Sequence, residues 1–138
     1  MTTTPGPSGP VGELRLALTV ADFDAAVVFY RDALGLPEEE SWDHNGRGIV
    51  LGAGRATLEL LSEEHAAYLD QVEVGRPVGG AFRIALRVAD SEATAQTLER
   101  AGGTRVAPAT VTPWRHRNAR VADPGGVQLT LFSELPAD

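Results

Sequence analysis

Two arginines, Arg15 and Arg83, occupy equivalent places in a segment that the chain uses twice. Residues 14–22 and residues 82–90 share Arg, Ala, Leu, Val, Ala and Asp at the same spacing. In each copy the apolar residues alternate with the others, which is typical of a strand with one buried face. Both arginines therefore face away from the core, and two guanidinium groups so related could grip a carboxylate, a phosphate or an enolate.

Glu59 and Thr130 have the same orientation in two other predicted strands. A leucine stands on each side of Glu59 and on each side of Thr130, so the alternation turns both polar side chains away from the core. Glu59 could act as a general base if a dry pocket raised its pKa, although nearby guanidinium groups would favour its ionised form. The structural alternative is that one or both arginines pair with Glu59 in a buried ion network.

The elements that would position these residues follow the same order in both halves of the chain. Hydrophobic periodicity predicts strands at residues 14–20, 37–42, 48–51, 56–61, 81–88, 104–112, 119–122 and 127–132. It predicts helices from Phe23 to Gly35, over 63–72, and from 91 to 102, with Asp22 as the cap of the first and Asp90 or Ser91 as the cap of the last. The sequence therefore predicts an α+β fold made of tandem βαβββ modules.

Length and composition restrict the function classes. The chain has 138 residues, 43% of them hydrophobic, which fits one domain at 13–134 after a flexible tail at 1–12. We predict module one at 13–62, a linker at 63–80 and module two at 81–134. The net charge of −7 argues against nucleic-acid and anionic-membrane partners. Without an export signal the expected location is the cytoplasm, and without cysteine there is no thiolate metal site.

Five short segments carry a resemblance to a known family. They are Val-Ala-Asp-Phe at 20–23, Phe-Tyr-Arg-Asp-Ala-Leu-Gly-Leu at 29–36, Leu-Glu-Leu at 58–60, Thr-Pro-Trp at 112–114 and Asp-Pro-Gly-Gly at 123–126. With the internal repeat, they make residues 13–133 resemble the vicinal oxygen chelate superfamily of glyoxalases, bleomycin-resistance proteins and extradiol dioxygenases. The resemblance implies the glyoxalase/bleomycin resistance/dihydroxybiphenyl dioxygenase fold, with a U-shaped cleft. It also implies a homodimer.

The family's metal positions are altered in this chain. Metal-dependent members place a His or Gln in the first strand of each half and a Glu in the last, which corresponds here to Arg15, Glu59, Arg83 and Thr130. Arginine offers donors and no lone pair, and one carboxylate falls short of the three or four ligands that zinc requires. We therefore predict neither a metal nor another cofactor.

Further ligand contacts are expected at the mouth of the cleft. Relatives place an aromatic residue at the position of Trp114, and Trp42 could stack on a planar ligand from the opposite wall. The alternative for each is packing in the core or in a subunit interface. Arg117, which follows Trp114 closely, could contact a ligand or only cap a hairpin, as could its neighbours His116 and Asn118.

The two remaining histidines are not expected to take part. His44 and His65 fall in predicted loop or surface segments without the spacing of metal ligands, so both should be solvated.

These features favour a metal-free protein that binds a small anionic or aromatic molecule, similar to the bleomycin-resistance branch. The alternative is a glyoxalase-like lyase or isomerase that acts on a small anionic or carbonyl substrate, with Glu59 as the base. A third possibility is a partner-binding module whose cleft is vestigial. Whether the protein is an enzyme stays open from the sequence.

Overall fold

The computed structural model describes residues 9–78 and 80–136, so most of the predicted tail lies outside the described residues. The strands are β1 (Glu13–Val20), β2 (Glu38–Asp43), β3 (Arg47–Ala53), β4 (Ala56–Ser62), β5 (Phe82–Arg87), β6 (Thr104–Val111), β7 (His116–Ala122) and β8 (Gln128–Glu134). The helices are α1 (Phe23–Val27), α2 (Glu63–Glu73) and α3 (Ser91–Arg100). A π-helical segment, Val28–Ala33, continues α1. None of the helices in 9–78 and 80–136 has the length and apolar character of a membrane span.

The strands form one eight-stranded sheet in the order β2-β3-β4-β1-β5-β8-β7-β6. The first strands of the two modules, β1 and β5, pair antiparallel at its centre. Each also pairs in parallel with the last strand of its own module, β4 for β1 and β8 for β5. The two modules therefore have the same topology, and the predicted α+β fold of tandem βαβββ units is confirmed.

The outer face of the sheet, which we define as the face covered by α1 and α3, carries most of the apolar core. On α1, Val27 packs with Ile49, Leu51 and Leu60 of the sheet. In the second module a similar cluster comprises Val88, Ala95, Ala119, Val121 and Leu131. Burial of these side chains is the main force that holds the helices on the sheet.

The repeated segments end in equivalent helix caps. The Asp22 carboxylate accepts a hydrogen bond from the Ala25 amide at 3.0 Å, and the Asp90 carboxylate accepts one from the Ala93 amide at 3.0 Å. Aspartate is a preferred N-cap because it satisfies an amide that the helix leaves unpaired. The prediction that Asp22 caps the first helix is confirmed.

Two elements depart from the prediction. The first helix changes from α to π winding at Val28 instead of running unbroken to Gly35. The seventh strand begins at His116, three residues before the predicted start at 119. Alternation along the longer β7 gives His116, Asn118 and Arg120 a common face, which matters for the site.

The linker helix α2 lies on the inner face, opposite α1 and α3. Its Ala66 packs against Ala17 and Leu61, with Leu69 and Trp42 beside them. Ser62 caps this helix by accepting a hydrogen bond from the His65 amide at 3.2 Å. The linker is therefore an integral part of the fold that covers part of the inner face.

Candidate functional site

A cavity of about 500 Å³ lies on the inner face, bordered by both modules and by α2. Its lining includes all the residues that the sequence singled out for the site except Arg117: Arg15, Trp42, Glu59, Arg83, Trp114 and Thr130. The strand alternation explains this convergence, since directly opposed residues on neighbouring strands share a face. Ala17 of β1, for example, stands opposite both Glu59 and Arg83.

Arg15 bonds chiefly to a carboxylate of its own strand. Its Nε donates to Glu13 Oε2 at 2.7 Å, while its closest approach to Glu59 is a longer ion pair, with 3.9 Å between Nη1 and Oε2. The guanidinium also lies 5.2 Å from the centre of the Phe132 ring, within reach of a cation–π interaction. The expected pairing of Arg15 with Glu59 is therefore present but loose.

Arg83 is held by the linker helix and not by Glu59. Its Nη1 donates to Asp70 Oδ1 at 3.0 Å. Asp70 also accepts from Arg120 Nη2 at 3.1 Å, and Arg120 Nε donates to Glu73 Oε1 at 2.8 Å. Asn118 Nδ2 completes the set with a 2.9 Å bond to Glu73 Oε2.

We call Asp70, Glu73, Arg83, Arg120 and Asn118 the buried ion network. Each of these residues exposes 5% of its surface or less, so the charges interact in a medium that screens them weakly. The expected pairing with Glu59 is thus present, at 3.9 Å, for Arg15, and wrong for Arg83, whose partner is Asp70. The network fixes α2 over the second module.

Glu59 lies on the cavity face without a close partner. Burial raises its pKa to about 7, and the opposing effect of the Arg15 guanidinium is the smaller of the two. Both arginines favour the ionised carboxylate, as expected, but burial outweighs them. The reason is that Arg15 and Arg83 direct their short bonds to Glu13 and Asp70.

A row of aromatic rings borders the cavity. Trp42 and His65 have ring centroids 5.4 Å apart, His65 and Tyr68 are separated by 5.6 Å, and Tyr68 and Trp114 by 6.3 Å. These spacings are typical of interacting aromatic pairs. We call these four residues the ring row.

Trp42 holds its place in the ring row because its strand neighbour is a glycine. A Cβ at Gly48, which stands opposite Trp42 in β3, would overlap Cζ2 of the indole. The ring therefore packs directly on the backbone of β3, a close approach that any side chain at position 48 would block.

The expectation that both histidines are solvated is wrong for His65, which is buried on α2, while His44 is exposed at the cavity rim. Trp42 Nε1–H donates to His65 Nε2 at 3.0 Å, so the ring donates from Nδ1 to the Asn45 carbonyl at 3.0 Å. Burial lowers the pKa of His65, which favours this neutral form. Both ring nitrogens are therefore engaged.

The residues after Trp114 divide between the two faces of β7. His116 and Asn118 line the cavity, and the His116 ring stacks on Phe132 with 5.2 Å between centroids. Burial lowers the pKa of His116. Arg117 points the other way and is exposed, so the structure does not bring it to the cavity. The early start of β7 decides this division.

The four family metal positions do not fit a metal ion in this structure. Arg15 and Arg83 present N–H donors, and Arg83 is committed to Asp70 at 3.0 Å. Within residues 9–78 and 80–136, no group of three or more His, Cys, Asp or Glu side chains is arranged to hold a metal. We therefore derive no chemistry through a metal at these positions.

Sequence reasoning missed the residues that α2 brings to the inner face. Asp70 and Glu73 are three positions apart, a spacing that places both on one side of a helix, and this signal was readable. Arg120 lay within a predicted strand, but only a strand starting at His116 reveals that it shares a face with Asn118. No local signal indicates that α2 docks over these residues.

The fold agrees with what sequence comparison finds. A model of the Glyoxalase/Bleomycin resistance protein/Dioxygenase superfamily matches residues 14–131. The chain is 34% identical over 127 residues to the uncharacterized protein YraH of Bacillus subtilis (strain 168), covering 88% of this chain and 98% of YraH.

Solved structures similar to this one include methylmalonyl-CoA epimerases. The enzyme from Mycobacterium tuberculosis is 26% identical with a TM-score of 0.62, covering 92% of this chain and 89% of that one. The enzyme from Streptomyces coelicolor, in complex with 2-nitronate-propionyl-CoA, is 21% identical with a TM-score of 0.66, covering 94% of this chain and 99% of its own. The chain belongs to the Glyoxalase/Bleomycin resistance protein/Dioxygenase superfamily.

Proposed function

We propose that this chain binds a small planar organic molecule in the inner-face cavity, using side chains alone. The observation that carries the proposal is the ring row along the cavity. Aromatic faces hold planar ligands by stacking, and a volume of about 500 Å³ lies within the range of small-molecule sites, roughly 300–1,000 Å³. Such a protein would be similar to the bleomycin-resistance members of its superfamily.

The two tryptophans provide a direct test, since the chain has no others and both line the cavity. Titration with a library of planar aromatic compounds should give at least one saturable change in tryptophan fluorescence. The same compound should raise the free energy of unfolding by about 2.7 kcal/mol at a hundredfold excess over its Kd. Trp42→Phe and Trp114→Phe would assign the signal to one indole.

Arg117→Ala is the matched control, because this side chain is exposed and does not line the cavity. It should bind the same compound with unchanged affinity. A library in which no compound changes either the fluorescence or the unfolding temperature would contradict the proposal.

A second candidate function, proton transfer catalysed by Glu59, is favoured by one specific observation. Burial brings the pKa of this carboxyl to about 7, where a general base is most effective near neutral pH. Similarity to methylmalonyl-CoA epimerases supports the same idea, since an epimerase inverts a carbon centre. Here Glu59 would have to act without a metal at the family positions.

The test of this candidate is hydrogen exchange at carbon. Small thioesters and α-hydroxycarbonyl compounds incubated with the protein in D₂O should acquire deuterium next to the carbonyl, as followed by NMR. Glu59→Gln should slow this uptake by about 10²- to 10⁴-fold, while Glu38→Gln, on the same sheet but outside the cavity lining, should not. Uptake that persists in Glu59→Gln would remove Glu59 as the base.

Two other expectations from the sequence, a homodimer and a cytoplasmic location, stay predictions.

A further inference from the structure

We propose that the molecule bound in this cavity carries a positively charged nitrogen group, an amine, amidine or guanidine, that reaches Glu40 and Glu59. This inference rests on the proposed binding function and narrows it to one ligand class. It also reverses the anionic preference that Arg15 and Arg83 suggested in the sequence, because the structure gives each of these arginines a carboxylate of its own.

The arginines of the cavity already have anionic partners at short distance. Arg15 bonds to Glu13 at 2.7 Å, Arg83 to Asp70 at 3.0 Å, and Arg120 to Glu73 at 2.8 Å. An anionic ligand would have to compete with these carboxylates, which are covalently part of the chain and already in place. The guanidinium groups therefore offer little to an incoming anion.

In contrast to these arginines, Glu40 and Glu59 have no charged partner at short distance among the described residues. Val50 of β3 stands opposite both of them, Glu40 in β2 and Glu59 in β4, so the two residues lie on one row across the sheet, with their backbones about 10 Å apart at two strand spacings. Among the described residues no hydrogen bond reaches either carboxylate. The nearest cationic nitrogen to Glu59 is 3.9 Å away on Arg15, beyond hydrogen-bond length.

Two buried polar atoms of the cavity lining have no partner among the described residues, one acceptor and one donor. Asn118 Oδ1 is buried and has no partner in the described part of the chain, while Nδ2 of the same amide is fixed on Glu73. One buried donor, Arg83 Nε, is likewise unpaired. Ammonium, amidinium and guanidinium groups carry several donors and no acceptor, so such a group could donate to Asn118 Oδ1 as well as to the two carboxylates.

The ring row adds a second attraction for the same ligand class. Trp42 follows Glu40 by two residues on β2, so both side chains project from one face of the strand, and both line the cavity with Trp114. A cation over an indole face is attracted by the ring quadrupole. A planar ligand with a cationic group can therefore stack on the ring row while its charge meets the carboxylates.

Ionisation of Glu59 links this binding to pH. Burial raises the pKa of Glu59 to about 7. Among the neighbouring charges, Arg15 and Arg83 lower this pKa, while Glu40 and Glu73 raise it. A cation favours the ionised carboxylate, so a cationic probe should bind more tightly at pH 8 than at pH 6.

Benzamidine, benzamide and benzoate test the inference, since they share one planar shape and differ in charge. Calorimetric titration at pH 8 should give a Kd for benzamidine about tenfold lower than for benzamide, a difference of about 1.4 kcal/mol, and the weakest binding for benzoate. Glu40→Gln and Glu59→Gln should each reduce this preference. Glu38→Gln should keep it, because Glu38 lies outside the cavity lining and pairs with Arg31 at 3.0 Å.

The outcomes separate this inference from the binding function. If the three probes bind with equal affinity, if benzoate binds best, or if the preference survives both cavity substitutions, the cationic ligand is ruled out while the binding function stands. If none of the three binds, the inference is also overturned, and the library of aromatic compounds then decides the binding function independently. Circular dichroism of each variant would show that a loss of binding is not a loss of folding.

Discussion

Replacing Asp70 with alanine should lower the free energy of unfolding by about 3–5 kcal/mol, the range for removing one partner of a buried ion pair. Asp70 is 4% exposed and accepts bonds from Arg83 at 3.0 Å and from Arg120 at 3.1 Å. Its removal leaves Arg83 without a carboxylate partner and weakens the hold on Arg120. The loss is large beside the roughly 5–15 kcal/mol total stability of a typical domain.

Urea unfolding of the wild type and of Asp70→Ala would measure this difference. Asp32→Ala is the matched control, since Asp32 pairs with Arg31 at 2.9 Å but on the exposed surface. Such surface pairs contribute about 0–1 kcal/mol, so the control should be nearly neutral. A loss below about 1 kcal/mol for Asp70→Ala would mean that solvent reaches the network and screens it.

Glu59→Gln should raise the free energy of unfolding at pH 8 by about 3 kcal/mol and remove part of the pH dependence of stability. Burial raises the pKa of Glu59 from 4.5 to about 7, so the folded state holds the proton more tightly than the unfolded chain. In the wild type, the protonated Glu59 carboxyl therefore makes its full contribution to stability below pH 4.5. This contribution is lost as the pH rises to 7. Glutamine, which does not ionise, keeps the favourable neutral state at every pH.

The measurement is the difference in unfolding free energy between Glu59→Gln and the wild type from pH 4 to pH 8.5. Other shifted groups, such as Glu13, whose pKa is lowered by its bonds to Arg15 and Thr57 despite burial, are common to both proteins and cancel in the difference. A difference for Glu59→Gln that does not vary with pH would show that this carboxyl is solvated in the folded state.

Local sequence patterns predicted the orientation of the site residues because strand alternation is a property of the chain itself. Arg15, Glu59, Arg83 and Thr130 all line the cavity, as the period-two pattern indicated. The helix cap at Asp22 was equally local, and Asp90 was one of the two candidates, with Ser91, for the cap of α3. Each of these inferences needed only a few neighbouring residues.

The partners of those residues could not be predicted in the same way. Asp70 and Glu73 reach Arg83 and Arg120 only because α2 docks on the inner face, and that docking depends on contacts between segments distant in sequence. The pKa of Glu59 could not be predicted either, because its main cause is burial, which depends on how distant segments pack together. Arg117 was misplaced for a smaller reason, the unrecognised start of β7 at His116.

The position of α2 makes a nearly symmetric chain unequal in its two halves. The repeated strands give Arg15 and Arg83 matching places, and two matching binding sites per chain would be the simplest result. The linker helix, however, occurs once. Its Asp70 pairs with Arg83 of the second module, while Glu59 of the first module faces the cavity. The two modules therefore contribute unequally to the inner-face cavity: one supplies the Glu59 carboxylate, and the other anchors the helix beside it.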